Sequence, residues 1–427
     1  MEIFDPQAHT SGRSASYRCL LRYRGASTYP YLKKSFAVKL IDETGGDLDA
    51  DLFGIRKENS WILNSMVVDR IRMRDRICFD LWNAISQTPY PTAYGNRNGT
   101  EGRFVELFLN GEYNGLYCFT DKIDRKLLAL KKAKAQADGT AHLRGLLYKG
   151  GTWCDAIMLR GYDESARTDT ACWNGWELKY PEDYPSAATW QPLADLIDFC
   201  NSSAFASSYT DYFYLDNMVD YATLILAFHI RDIGFKNSYL STPDIRNGHK
   251  FLITPWDMDT SLGGEWDGQH YDELAGMSAI TKPLPFALLY NYDMDNFRER
   301  LRTRWGELSS TVLPPSAINR RLDDYAQAFR ISGAWQREYE RWNDNPVPLA
   351  EHIDEELDYV KDWYKRNYVN VCHLMDVETT SVEAPFVSAE KTPVEVYTVE
   401  GCRVPTLRKG VNIVRYPDGS SRKVLVR

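Results

Sequence analysis

Residues 229–263 read HIRDIGFKNSYLSTPDIRNGHKFLITPWDMDTSLG, and this stretch organises the rest of the chain. Asp232 is followed five residues later by Asn237. Two short apolar runs, Ser238–Leu240 and Lys250–Thr254, then flank polar turn residues that include Asn247-Gly248, and the stretch closes on Asp257 and Asp259. Asn-Gly between alternating runs is a strong hairpin signal. A hairpin returns Asp257 close to Asp232 and Asn237, which gathers three or four oxygen ligands around one point. Hard cations such as Mg²⁺ favour that arrangement, and a nucleotide phosphate can complete the shell.

Immediately upstream, Asp216–Ile230 (DNMVDYATLILAFHI) is apolar on nearly all sides, so it predicts a buried central helix, N-capped by Asp216, that delivers Asp232 from a rigid platform. Downstream, three segments near 285–307, 315–342 and 348–374 carry the apolar spacing of a helical bundle. The N-terminal third has a different texture. Ser16–Tyr23 and Ser35–Ile41 read as strands around the turn-like Arg24–Thr28, with Lys39 projecting from the second. Residues 59–88 read as a long helix from Val67, Ile71, Cys78, Leu81, Trp82 and Ile85, and residues 103–120 as a hairpin turning at Asn110-Gly111. Between these halves, Gly145–Lys149 and Trp176–Tyr180 are strand-like, and Trp190 to Cys200 marks a helix.

The expected architecture is therefore α+β and bilobal: a β-rich lobe over residues 1–120, a helical lobe over 121–375, and a small β appendage over 385–427. In the appendage, short strands at Val394–Val399, Val411–Arg415 and Lys423–Val426 are punctuated by glycines, after a Thr-, Ser-, Glu- and Pro-bearing linker at 375–390.

Composition narrows the function. The 427 residues, 44% hydrophobic and 26% charged, suit a soluble globular protein with ample core. A formal charge of −8 argues against nucleic acid as a partner. Eight cysteines without a CxxC pair argue against a zinc site or a dense disulfide framework. No run of about 18 apolar residues exists to span a membrane. The N-terminal MEIFDPQAHTSG lacks the basic and apolar regions of a signal peptide.

The order of the polar residues carries the chemistry. A helix ends, Asp232 follows, Asn237 lies five on, a hairpin intervenes and acids close it. Protein kinases place a catalytic Asp, a metal-binding Asn and a metal-binding Asp in that order. Phosphoryl transfer needs alignment and charge neutralisation more than covalent chemistry, so acids and an amide suffice. Lys39, on a strand just after a small-residue turn, is positioned as phosphotransferases position a phosphate-binding Lys. Turn residues or a structural calcium site are the plainer readings of these acids, and a solvated strand is the plainer reading of Lys39. Asp257 and Asp259 as a glycosidase pair is a further alternative, but acids this close in sequence more often share a cation.

Several blocks in order resemble the CotH family of atypical, secreted protein kinases. They are RGAS followed by KKSFAVKL, LFGIRKENSWIL, LNGEYNGLYCFTDKID, LLYKG, ELKYP, NMVDYATLILAFHIRDIGFKNSYL and FLITPWDMDTSLGG, across most of residues 20–375. The resemblance implies a kinase-like fold that uses ATP with Mg²⁺ or Mn²⁺ to phosphorylate Ser/Thr hydroxyls of secreted or surface proteins. It implies Asp232 as the catalytic Asp and Asn237 as a metal partner. Asp257 becomes the metal Asp, with Asp259 competing, and Lys39 the phosphate-binding Lys, with Lys34 as rival. Arg24, Gly25 and Ser27 would lie in the phosphate loop, and Asp69 or Asp75 would be the helix acid facing the Lys. Two departures stand out: one Gly where protein kinases have three, and Asp257-Met258-Asp259 in place of Asp-Phe-Gly. They suit an atypical kinase, and equally a pseudokinase or a binding scaffold on the same fold. The C-terminal VEVYTVEGCRVPTLRKGVNIVRYPDGSSRKVLVR resembles the sorting tails of secreted Bacteroidetes proteins, which implies a place outside the cytoplasm or at the cell surface.

Overall fold

The computed structural model describes residues 1–5, 14–137, 141–164, 170–248, 250–343, 347–378, 395–398, 403–404, 410–415 and 421–426. The chain separates into two compact units, Met1–Thr379 and Thr380–Arg427. The first is a mixed α+β body.

It begins with a five-stranded antiparallel sheet: β1 (Arg18–Arg24), β2 (Ser35–Ile41), β3 (Ser60–Asn64), then helix α1 (Arg74–Ile85), then the hairpin β4 (Gly102–Leu109) and β5 (Glu112–Thr120). Spatial order is β1-β2-β3-β5-β4. Alternation sorts its two faces. Phe36, Val38, Leu40, Trp61, Leu63, Tyr117 and Phe119 form a small core on one side. Ile62, Leu116 and Cys118 point to the other side, where they join Ile77, Cys78, Leu81 and Trp82 of α1 in the main core.

The long helix expected over residues 59–88 is instead a strand, a turn and a shorter helix. Trp61-Ile62-Leu63 is a run of three consecutive buried residues, which suits a strand covered on both faces. Met66 and Arg72 then take positive φ values of 51° and 58°, which no helix accommodates. The three- and four-residue spacing that suggested helix comes from turn residues Val67 and Ile71 packing inward.

A second five-stranded sheet follows, built from β6 (Leu146–Gly150), β7 (Cys172–Trp173), β8 (Trp176–Tyr180), β9 (Ser238–Thr242) and β10 (Leu252–Pro255), in the order β7-β8-β6-β9-β10. Between β8 and β9 lie α2 (Ala187–Cys200) and α3 (Leu215–Phe228). From Asn217 to Phe228 every residue of α3 is buried, as its apolar circumference requires. Asp216 is not its N-cap: that position is Tyr214, without a side-chain bond, and Asp216 lies in the first turn, where its charge still favours the helix dipole. The β9–β10 hairpin forms, and a short 3₁₀ turn at Ile245–Asn247 with Gly248 at φ 109° joins its strands.

Five helices complete the body: α4 (Leu284–Asn291), α5 (Phe297–Ser309), α6 (Pro315–Ser332), α7 (Ala334–Trp342) and α8 (Ile353–Leu374). Two expected helices are thus each split. Asp293, Asp295 and Asn296 at positive φ break the first, and Gly333 at φ 70° breaks the second. No helix among the described residues is long and apolar enough to cross a membrane. The seven described cysteines are unpaired.

The second unit is a four-stranded antiparallel sheet of β11 (Glu395–Thr398), β12 (Arg403–Val404), β13 (Gly410–Arg415) and β14 (Ser421–Val426), in the order β12-β11-β13-β14. Val396, Val404 and Val414 form its buried cluster. The expected linker at 375–390 lies mostly outside the described residues.

Candidate active site

Helix α3 ends at His229, whose left-handed φ of 44° turns the chain sharply; its N–H still reaches the Ile225 carbonyl. The turn throws Arg231 and Asp232 out of the core. Two contacts to one residue fix them. The Arg231 amide donates to the Thr260 carbonyl at 3.1 Å, and the Asp232 amide donates to Thr260 Oγ1 at 3.2 Å. The loop is held from below by the Tyr221 hydroxyl, which accepts the Phe235 amide at 3.4 Å and lies 2.6 Å from Ser238 Oγ.

The Asp232 carboxylate is fully oriented. Its Oδ1 accepts the Trp153 indole N–H at 2.8 Å. Its Oδ2 accepts the Lys236 ammonium and the Asn237 amide N–H at 3.1 Å. Asn237 Nδ2 also donates to the Asp232 carbonyl at 2.9 Å, so its Oδ1 is the oxygen left to accept or ligate.

The acids at the end of β10 close on this loop. The Trp256 amide donates to the Asn237 carbonyl at 2.8 Å, and Asn237 and Asp257 both take left-handed φ values, 52° and 57°. β10 itself is clamped to α3 by Asn217, whose Oδ1 accepts the Ile253 amide at 2.8 Å and whose Nδ2 donates to the Ile253 carbonyl at 3.1 Å. Asp257 is exposed and Asp259 half-buried. Burial, and then the carboxylates of Asp257, Asp75, Asp69 and Asp232, hold the Asp259 carboxyl well above its ordinary range.

Asp75, in the first turn of α1, belongs to the same cluster. Its Oδ1 accepts the Met258 amide at 2.9 Å and its Oδ2 accepts the Asn64 amide N–H at 3.3 Å. Burial and then Asp257 push its carboxyl up to about 6. Asp69, the other candidate helix acid, is spent structurally. It bonds Arg74 Nη1 at 2.5 Å and accepts the Arg74 and Ile71 amides.

Among the described residues, no three His, Cys, Asp or Glu side chains converge closely enough to form a ready-made metal cage. The donor set nonetheless fits a hard divalent cation. Asp257, Asp259 and Asn237 Oδ1 offer only oxygen, and the repulsion between the carboxylates is what a cation would relieve. A cation that keeps water and phosphate oxygens in its shell needs only one or two carboxylates from the protein.

The phosphate-loop candidates divide. The loop joining β1 to β2 covers residues 25–34, and Arg24 at its start stands over the Trp256 ring, 5.7 Å from the centroid. Arg24 and Asp257 both act on the buried Tyr239 hydroxyl, with Glu177 and Asp124 beside them, so the start of the loop and the Asp257 segment meet at that ring. Gly25 has φ 123°, a conformation that favours glycine, and a Cβ there would lie 2.5 Å from Thr28 Oγ1. Ser27 is exposed on the same loop. Lys34 folds back on the loop, donating to the Tyr29 carbonyl and lying over the Tyr29 ring.

Lys39 does not join them. It is half exposed and bonds Asp47 at 2.7 Å. Its row on the sheet pairs with Ser60, four residues along β3 from Asn64, where α1 and Asp75 are reached. That separation is roughly 13 Å of strand. The strand that leads into α1 is β3, one strand later than expected, and the residue it turns towards Asp75 is Asn64, not a lysine.

Other cations stand near Arg24 and Glu177. The Lys122 ammonium, just beyond β5, is held below the ordinary lysine range mainly by desolvation, and has Glu182, Asp124, Lys179 and Arg24 around it. Lys149 and Lys179 flank Glu177 at 3.7 and 2.8 Å. Sequence reading missed all three, and Lys236 and Trp153 as well. A signal for Lys236 was present, since it immediately precedes Asn237. Trp153 had none, because it is 79 residues from its partner.

An aspartate braced by a lysine and an asparagine, a paired-acid segment docked beside it and a glycine-bearing loop above make this a kinase-like site. A family profile described as "CotH kinase protein" matches residues 21–371, and the chain belongs to that family. Comparison with curated proteins brings no significant match.

Proposed function

We propose that this protein is an ATP-dependent protein Ser/Thr kinase of the CotH type, using Mg²⁺ or Mn²⁺ and acting on secreted or cell-surface proteins. The observation that carries this reading is the Asp232 carboxylate, held on Oδ2 by Lys236 and Asn237 while Thr260 ties its backbone to the Asp257–Asp259 segment. In this reading the two sheets belong to two lobes. The first, with α1 between β3 and β4, lies over the nucleotide, and the loop from Gly25 covers its phosphates. The 385–427 segment is a sorting appendage.

The acceptor hydroxyl oxygen forms a bond to the γ-phosphorus, the bond from that phosphorus to the bridging oxygen of ADP breaks, and the hydroxyl proton passes to Asp232. Lys236 holds the Asp232 carboxylate aligned before transfer. Arg24, Lys122 and Lys149 supply positive charge to the phosphates. A divalent cation held by Asp257, Asp259 and Asn237 would neutralise charge on the transferring group.

One observation favours a weaker alternative, a pseudokinase or scaffold. Protein kinases set a strand lysine against a helix glutamate to hold the phosphates, and here Asn64 faces Asp75 in that place. Transfer of radiolabelled phosphate from ATP to a generic protein, with Mg²⁺ or Mn²⁺, separates the two. Transfer that disappears in Asp232→Ala and Asp257→Ala supports the kinase. Nucleotide-dependent thermal stabilisation without transfer supports the alternative.

A further inference from the structure

β6 ends at Gly150, directly against the catalytic loop. The Asn237 amide donates to the Gly150 carbonyl at 3.0 Å, and a Cβ on Gly150 would lie only 2.0 Å from the Phe235 carbonyl oxygen. Three residues on, Trp153 is therefore carried to the mouth of the site on backbone locked to the loop it serves. The residue is 40% exposed, although its indole N–H is bonded to the half-buried Asp232. The ring lies beside Gly234, with the Lys282 ammonium 5.0 Å and the Lys236 ammonium 5.6 Å from its centroid. Lys282 is anchored in turn by the Arg231 carbonyl at 2.9 Å.

The hydrogen bonds to Asp232 decide what this ring does. An ionised carboxylate has about four acceptor positions, two on each oxygen. Among the described residues, Oδ2 has both positions filled, by Lys236 and Asn237, and Oδ1 has one filled, by Trp153. The vacant position is on Oδ1, beside the indole N–H. An acceptor hydroxyl that gives its proton to Asp232 must approach there, with the Trp153 ring as its neighbour.

We infer that Trp153 is a positioning residue for phosphoryl transfer, orienting Asp232 through its indole N–H and forming the wall against which the acceptor residue packs. This rests on the kinase reading above. Its effect falls on acceptor alignment, because its indole bonds the Asp232 carboxylate and its ring stands beside Gly234, Lys236 and Lys282.

The test compares the full chain with Trp153→Phe, which keeps an aromatic wall and removes the donor, and Trp153→His, which restores a ring N–H. Phosphate transfer from ATP to a serine-containing peptide and thermal stabilisation by Mg²⁺-ATP are measured for each. Trp153→Phe should lower kcat for transfer by roughly tenfold or more, within the range that proton-transfer catalysis spans. KM for ATP and the Mg²⁺-ATP stabilisation should stay unchanged, and Trp153→His should recover part of kcat. A Trp153→Phe kcat within about twofold of wild type would overturn the inference while leaving the kinase reading intact. Equal loss of ATP stabilisation and kcat would overturn it too, by showing a general structural role. Absence of transfer by the wild type defeats both.

Discussion

Asp75 accepts the Met258 amide at 2.9 Å, so the first turn of α1 is bonded to the residue between the two acids that end β10. The helix therefore cannot shift without moving the candidate cation site. The same bond keeps a third carboxylate beside Asp257 and Asp259, where burial and Asp257 already push Asp75 up to about 6.

Like charges so placed destabilise the protein until something positive joins them. Millimolar Mg²⁺ or Mn²⁺ alone, without nucleotide, should raise Tm by a few degrees, about 1–2 kcal/mol of linkage. Asp259→Asn should raise the metal-free Tm and abolish the response. A wild-type Tm indifferent to both cations would contradict this.

Asp220 on α3 offers a pH test away from that cluster. It is buried, bonds Arg304 Nε at 2.7 Å, and is pushed up to about 6 mainly by burial, with Arg304 opposing. A raised carboxyl binds protons more readily folded than unfolded between about pH 4 and 6, so its contribution to stability falls as pH rises through that window. Urea unfolding at intervals from pH 4 to 7 should show that decline in the wild type, about 2–3 kcal/mol at most. The Asp220→Asn curve should be flatter over the same interval.

Glu338 on α7 is a buried anion serving two cations and an amide. It bonds Lys33 at 2.5 Å, Arg72 at 2.8 Å and the Leu116 amide at 2.7 Å. Glu338→Gln leaves two buried cations short of a counter-charge and should cost about 3–5 kcal/mol. Lys33→Met leaves Glu338 still paired with Arg72 and should cost only about 1–3 kcal/mol. Equal losses in denaturant unfolding would show that the pair does not divide this way.

Arg231 tests how the segment after Asp259 is held. It pairs with Glu265 and lies 3.4 Å over the Tyr271 ring, next to Asp232. Glu265→Ala should lower kcat for transfer by about tenfold with under about 1 kcal/mol of stability lost, since the pair is partly exposed. The double charge swap Arg231→Glu with Glu265→Arg should recover part of that loss. No recovery would show that the loss does not come from the Arg231–Glu265 pairing.

Gly25 and Lys39 should part company in kinetics. Gly25→Ala forces a side chain into φ 123° and towards Thr28, a strain of about 1–3 kcal/mol. It should raise KM for ATP several-fold. Lys39→Ala should stay within about twofold of wild type in kcat/KM, because its partner is Asp47 at the far end of the strand row. A severe Lys39→Ala defect would reinstate that lysine as a phosphate ligand.

What was legible in the chain follows from how local each signal is. The β4–β5 hairpin and β8 were readable because alternation, Asn-Gly and a proline boundary act over a few residues. The order Asp232, Asn237, Asp257 was readable because one hairpin carries it. The 59–88 segment was misread because spacing alone cannot separate a helix from a buried strand followed by an inward-packed turn. That error moved the expected lysine: with β3 hidden inside a supposed helix, Lys39 on β2 looked like the strand before α1. Trp153, Lys122 and Lys149 escaped for a different reason. Each reaches the site from a remote element, and no pattern in the sequence encodes that meeting.

The left-handed residues that frame the site have a consequence of their own. His229, Asn237 and Asp257, at φ 44°, 52° and 57°, each occupy a conformation that a glycine would hold more comfortably. Replacing Asn237 or Asp257 with glycine would relax the backbone and remove a proposed cation ligand together. A search that rewarded only resistance to heat would therefore drift towards inert versions of this protein, and the bends that aim its acids would be among the first things it erased.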